Sequence, residues 1–158
     1  MVLVPKTLLL LAVAFALGAC GSKPSAEAVN TSCKPPSDLR SISGSYTSEN
    51  IGINKLGKHI GTSTLSINVD SDGVIRGERG WSSESHKGHK ADGTPTSSEK
   101  EPVFGVIDPQ DCEIGLAEKG ESGIYRGRLL QDGSIDLILI ASGDYPLAIR
   151  NRYTREAQ

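Results

Sequence analysis

Residues 123–130 read GIYRGRLL, residues 131–134 read QDGS, and residues 135–141 read IDLILIA. This is a strand, a turn and a second strand, and the last run is the most apolar stretch of the chain after residue 38. An apolar run of that length is expected at the centre of a sheet, covered on both faces. Downstream, residues 143–146 (GDYP) turn and residues 147–153 (LAIRNRY) form a closing strand. Upstream, PVFGVI (102–107) and CEIGLA (112–117) are strands separated by the turn DPQD (108–111), and residues 118–122 turn again. Farther back, TLSINV (64–69) alternates Leu65, Ile67 and Val69 on one face; DSDG (70–73) turns, with Asp-Gly suited to positive φ, and residues 74–81 return. Residues 42–47 and 51–53 add shorter strands.

From residue 39 on, no segment shows the i, i+3, i+4, i+7 spacing of an amphipathic helix. Connections this short cannot make parallel crossovers, so consecutive strands are expected to pair antiparallel. The fold class is therefore all-β: an antiparallel meander of about seven or eight strands, forming a small barrel or a sandwich. The barrel is preferred because an open meander would leave unpaired edges. In outline this resembles the lipocalin-like and avidin-like barrels, a likeness of architecture that brings no functional residue with it. Residues 82–101 (SSESHKGHKADGTPTSSEKE) interrupt the meander as a polar loop.

The 158 residues are room for one domain. With 17 basic and 19 acidic residues, the net charge of -2 argues against a nucleic-acid binder. Recurrent apolar runs argue against a disordered acidic chain.

Residues 1–20 stand apart. Lys6 gives a positive start, residues 7–17 (TLLLLAVAFAL) are continuously apolar, and small residues follow. The run is too short for a hydrocarbon core of about 30 Å. It fits an export signal that is removed. The ending Leu17-Gly18-Ala19-Cys20 resembles the lipobox of bacterial lipoproteins. That resemblance implies a signal peptide over residues 1–19, cleavage before Cys20, a diacylglycerol thioether on Cys20, and usually a further acyl chain such as palmitate on the new amine. Two or more buried chains hold stably where one holds marginally. Gly21 is not the aspartate that retains enteric lipoproteins in the inner membrane, so the resemblance implies the outer membrane in a diderm host and the plasma membrane in a monoderm one. Residues 20–38 read as a lipidated tether and residues 39–158 as the β domain.

Lipid on Cys20 leaves Cys33 and Cys112 as an even pair in an oxidising compartment, the periplasm or cell surface. A Cys33–Cys112 disulfide is expected, stabilising by about 4 kcal/mol at most on loop-closure entropy.

Four groups are candidates for chemistry. His86 and His89, with Asp92 nearby, are ligand types that zinc, copper and nickel accept; the opposing reading is a solvated loop with Lys87 and Lys90 repelling a cation. Trp81, the only tryptophan, is either a ligand contact at a barrel mouth or a core plug. Arg126, Arg128, Arg150 and Arg152 alternate on an outer face, where Glu113 and Asp136 are natural partners. His59 reads as a surface residue. There is no G-x-S-x-G, no H-E-x-x-H and no phosphate-binding glycine loop. The expectation is a membrane-held envelope lipoprotein with a non-enzymatic binding or structural barrel, meeting an envelope protein, a glycan or a small apolar ligand and no nucleic acid. Two alternatives are an enzyme of envelope polymers, needing converging carboxylates, and a metal-binding lipoprotein using the histidine loop.

Overall fold

The computed structural model describes residues 33–83, 88–89, 95–120, 122–142 and 146–157. A 3-10 turn (Leu39–Ile42) leads into β1 (Gly44–Asn54), β2 (Gly57–Val69) and β3 (Val74–Ser83). Two short strands, β4 (Gly88–His89) and β5 (Pro95–Thr96), pair only with each other. The chain continues through β6 (Ser98–Ile107), β7 (Glu113–Glu118), β8 (Ile124–Leu129), β9 (Ile135–Ala141) and β10 (Leu147–Arg155). The eight longer strands close into one antiparallel barrel, ordered β1-β10-β9-β8-β7-β6-β3-β2. Pairing of β1 with β10 removes both free edges, which decides for the barrel over the sandwich.

The alternation read from the sequence is the inward and outward phase of the wall. On β2, His59, Gly61, Ser63, Leu65, Ile67 and Val69 are buried while the residues between them are exposed. The barrel has two unlike ends. At the end where the chain enters, Leu65, Ile67, Val69, Ile75, Ile107, Ile114, Leu129 and Ile135 form an apolar core. Fully burying each such side chain is worth about 1.5–3 kcal/mol. The 3-10 turn plugs this end with Leu39 and Ile42. Asp38 caps it by accepting from the Arg40 amide at 3.0 Å. The Tyr46 hydroxyl donates to the Ile42 carbonyl at 2.6 Å, and Arg155 donates to the carbonyls of Ser41 and Ser43. Cys33 lies at disulfide distance from the buried Cys112, with their Cα atoms 5.9 Å apart, so the residues before the turn are held against this plugged end.

The turns carry the chemistry expected of them. Asp70 accepts from the amides of Asp72 and Val74, and Gly73 has φ +82°. Asp132 accepts from the Ser134 amide, and Gly133 has φ +78°. One inward glycine has a different purpose: a Cβ on Gly127 would lie 1.8 Å from the Asp136 carbonyl oxygen, so the close approach of β8 to β9 requires glycine.

Three expectations are corrected. The strands expected at 42–47 and 51–53 are one eleven-residue strand that starts at Gly44, Ile42 belonging to the 3-10 turn, and β2 begins at Gly57 rather than residue 64, because small and polar residues face inward there and hide the alternation. The interruption after β3 is shorter than residues 82–101, since β3 reaches Ser83 and β6 starts at Ser98. Finally, β9 is covered on one face only: Ile138 and Ile140 are 49% and 60% exposed, because a lone barrel has no outer layer.

Candidate functional site

Midway along the barrel the interior turns from apolar to charged. Arg79 on β3 is buried, in the inward phase shared with Ile75 and Gly77. Its Nη1 donates to Glu101 Oε2 at 3.3 Å and to Glu118 Oε1 at 3.2 Å, and its Nε donates to Ser63 Oγ at 3.2 Å. The guanidinium also lies over the Tyr125 ring, 5.5 Å from the centroid. The Tyr125 hydroxyl donates to Glu118, and Trp81 Nε1 donates to Glu101 Oε1 at 3.1 Å. Ser63 spends its only proton on the Gly80 carbonyl at 2.9 Å, so the Tyr153 hydroxyl, 2.8 Å away, is the donor in their contact. Five strands (β2, β3, β6, β7 and β8) and β10 thus meet on one guanidinium.

The protonation of this cluster follows from its burial. Glu101 is pushed up to about 7, first by burial, then by the Glu118 carboxylate beside it, while Trp81 and Arg79 pull the other way. Tyr125 and Tyr153 are pushed up, chiefly by burial. Burial opposes the charge on Arg79, but the tyrosines and carboxylates around it outweigh that and keep it cationic. A buried ion cluster in which Glu101 Oε1, Glu101 Oε2 and Glu118 Oε1 all accept hydrogen bonds is a specificity device more than a source of stability.

Beyond the cluster, toward the end opposite the plug, the inward residues of β1, β2 and β6 become small or polar, while β9 and β10 stay apolar there with Leu139, Leu147 and Ile149. Asn50 and Asn151 are direct cross-strand partners on β1 and β10, 1% and 0% exposed. Neither amide oxygen nor amide nitrogen of either residue has a hydrogen-bond partner among the described residues. Their inward neighbours on β1 and β2 are Ser48, Gly52, Gly61 and Ser63. Glu99, the register partner of Trp81, has its Oε2 buried and likewise without a partner. His59, expected at the surface, is instead buried in the inward phase of β2, with Nδ1 3.3 Å from Ser83 Oγ. The correction has a simple cause: His59 keeps the parity of Leu65 and Ile67, three and four strand steps of two along the same face.

Of the sequence candidates, Trp81 is half-buried on the inward phase at the polar end and is tied to Glu101. Cys33 and Cys112 come together. Cys20, His86 and Asp92 lie outside the described residues, and for His89 only the backbone pairing with Pro95 is described. Among the described residues, no three metal-ligating side chains converge. The arginines face outward: Arg150 pairs with Asp136 at 2.7 Å and Arg152 with Asp132 at 3.1 Å. Sequence reading missed Arg79, Glu101 and Glu118. The available signal was parity, since each sits in phase with the apolar inward residues of its own strand.

Two outer features complete the surface. A shallow groove of about 320 Å³ crosses β2, β3 and β6, lined by Thr62, Ser63, Thr64, Gly80, Trp81, Ser82, Ser98, Glu99 and Lys100. An apolar row, Ile53, Ala148, Ile140, Ile124, Ala117 and Phe104, runs through six strands as consecutive register partners. Its four large members are 47–63% exposed. Among the described residues no helix is long and apolar enough to cross a membrane. No family model matches the chain, and no curated protein is similar to it.

Proposed function

We propose that the chain is a lipid-anchored cell-envelope protein whose barrel is a non-enzymatic binding module. The tether reaches the barrel at the plugged end, through Cys33 and the 3-10 turn, so a lipid on Cys20 would leave the opposite, polar end facing away from the anchor. The observation that carries the reading is this polarity: one end is closed and apolar, while toward the other Asn50 and Asn151 carry buried amides that have no partner among the described residues. Burying polar groups unpaired costs about 1–3 kcal/mol each, a cost that a binding role explains and a purely structural role does not. The enzyme alternative has less support. Glu101 and Glu118 do converge, but on Arg79 inside the barrel, where both oxygens of Glu101 and Oε1 of Glu118 accept from Arg79, Trp81 and Tyr125.

Mass spectrometry of the processed protein tests the anchor. The expected product begins at Cys20 and carries a diacylglyceryl thioether; an intact leader or an unmodified Cys20 sulfur overturns the placement. A second mode of binding is favoured by the exposed row from Ile53 to Phe104, which suits a protein partner. Cross-linked envelopes should yield an adduct that Ile140→Ser and Ile124→Ser abolish; recovery of nothing above that double variant removes this mode.

A further inference from the structure

We propose that the outer face formed by β1, β10, β9 and β8 seats a second copy of this chain, giving a side-by-side pair of barrels. The inference rests on the reading of the exposed row as a protein-binding surface, and it names the partner.

The first observation is where the exposed apolar residues lie. Apart from Leu56, every exposed large hydrophobic among the described residues belongs to one of two adjacent rows of register partners. One is the row from Ile53 to Phe104; the other runs from Ile60 through Ile51, Arg150, Ile138 and Arg126 to Val106. The rows are densest on β1, β9 and β8, where Ile51, Ile53, Ile138, Ile140 and Ile124 are 49–63% exposed. A barrel wall does not require this. On β2 the residues turned to solvent include Thr62, Thr64, Ser66 and Asn68, so the same wall meets water with polar groups on one flank and carries isoleucine on the other.

The second observation is size. With Ala148, Arg126 and Arg150, the five isoleucines make a face on the order of 800 Å², which is what each partner gives to a standard interface. The largest apolar patch of an ordinary monomer is about 300–600 Å². The third is charge. Arg150 is spent on Asp136 at 2.7 Å, and Arg152, at the edge of the face, on Asp132 at 3.1 Å. Arg126 stands at the β8 flank, away from the centre on β9 and β10. A face whose central arginine is neutralised by its own carboxylate gives little to an anionic lipid surface, and two identical copies of it meet without like-charge repulsion at the centre. The fourth is geometry. A closed barrel has no free strand edge, so a partner must dock on the side chains of the wall. A two-fold axis parallel to the barrel axis sets Ile138 and Ile140 beside their counterparts in the second copy. It also leaves both plugged ends, where the chains enter, on the same side, the arrangement that two chains held on one membrane require.

The test is photo-cross-linking in cells that express the full chain in two forms with different epitope tags. With benzoylphenylalanine in place of Ile140, or of Arg126 at the flank, an adduct of twice the chain's mass that carries both tags is expected. The same probe in place of Ser66, on the polar flank, should yield at least tenfold less of it. Ile138→Ser and Ile51→Ser, introduced with the probe at residue 126, should lower the yield at least tenfold; both side chains are exposed, and an unchanged unfolding midpoint shows that the barrel is intact. If that variant does not fold, the comparison of residues 140 and 66 decides. An adduct with a different polypeptide overturns the proposal and leaves the protein-partner reading standing. No adduct from residue 140 or 126, or adducts only with lipid or within one chain, overturns both. Equal yields from residues 140 and 66, or a yield that the two serines leave unchanged, mean random encounter and overturn the pairing.

Discussion

The two ends of one barrel are built on opposite rules. At the plugged end every inward residue is apolar, the 3-10 turn closes the opening, and Tyr46 and Arg155 satisfy the backbone carbonyls of the plug. At the other end the same strands, in the same phase, carry Asn50, His59, Glu99 and Asn151. The wall is continuous; only the side chains change. β1, β2 and β6 obey a packing rule along half of their length and break it along the other half, while β9 stays apolar inward throughout, so one side of the wall keeps its second half for something besides stability. The Arg79 cluster marks the boundary.

Breaking that boundary should have the largest effect. Arg79→Met leaves Glu101 and Glu118 buried without their cation and should cost about 3–5 kcal/mol by urea unfolding. Adding Glu101→Gln and Glu118→Gln to it should recover much of the loss; no recovery would mean that the arginine matters for packing and not for charge. At the plugged end, Leu65→Ala should cost about 2–5 kcal/mol, the range for emptying a filled core site. Reducing the Cys33–Cys112 pair should cost about 2–4 kcal/mol and loosen the plug, read as a Tm that reductant lowers in the wild type but does not change in Cys33→Ser, whose Tm is already low.

Acidity sharpens the contrast between the ends, because the titrating group sits at their junction. Glu101 is held near 7 against an ordinary 4.5, so the folded chain keeps a proton that the unfolded chain releases. Its contribution to stability is full below about 4.5 and is lost as pH rises through about 7. The fall should be on the order of 1–2 kcal/mol, and Glu101→Gln should flatten it. A wild-type profile that is flat between those values would show that the carboxyl is ionised throughout.

Legibility in the sequence follows the same division. IDLILIA at 135–141 and LAIRNRY at 147–153 announce β9 and most of β10 because apolar residues mark the inward phase. KHIGTS at 58–63 shows no such mark, and half of β2 goes unread, although it pairs with β1 residue for residue. Charged residues at inward phase, Arg79, Glu101 and Glu118, look like ordinary surface or loop residues until the strands carrying them are in register. Asn50 and Asn151 are one hundred and one positions apart, and only barrel closure makes them neighbours. Local alternation predicts the wall; what converges inside depends on the shear of all eight strands, which no local window contains.

The account stands on the claim that the buried amides serve a guest and not the fold. Equilibrium unfolding of Asn50→Val, Asn151→Val against wild type measures that directly. Exchanging unpartnered buried amides for apolar groups of similar size should leave stability within about 1 kcal/mol of wild type or raise it. A loss of more than about 2 kcal/mol, on the scale of the Leu65→Ala loss, would mean the amides hold the barrel together and the two ends obey one rule after all.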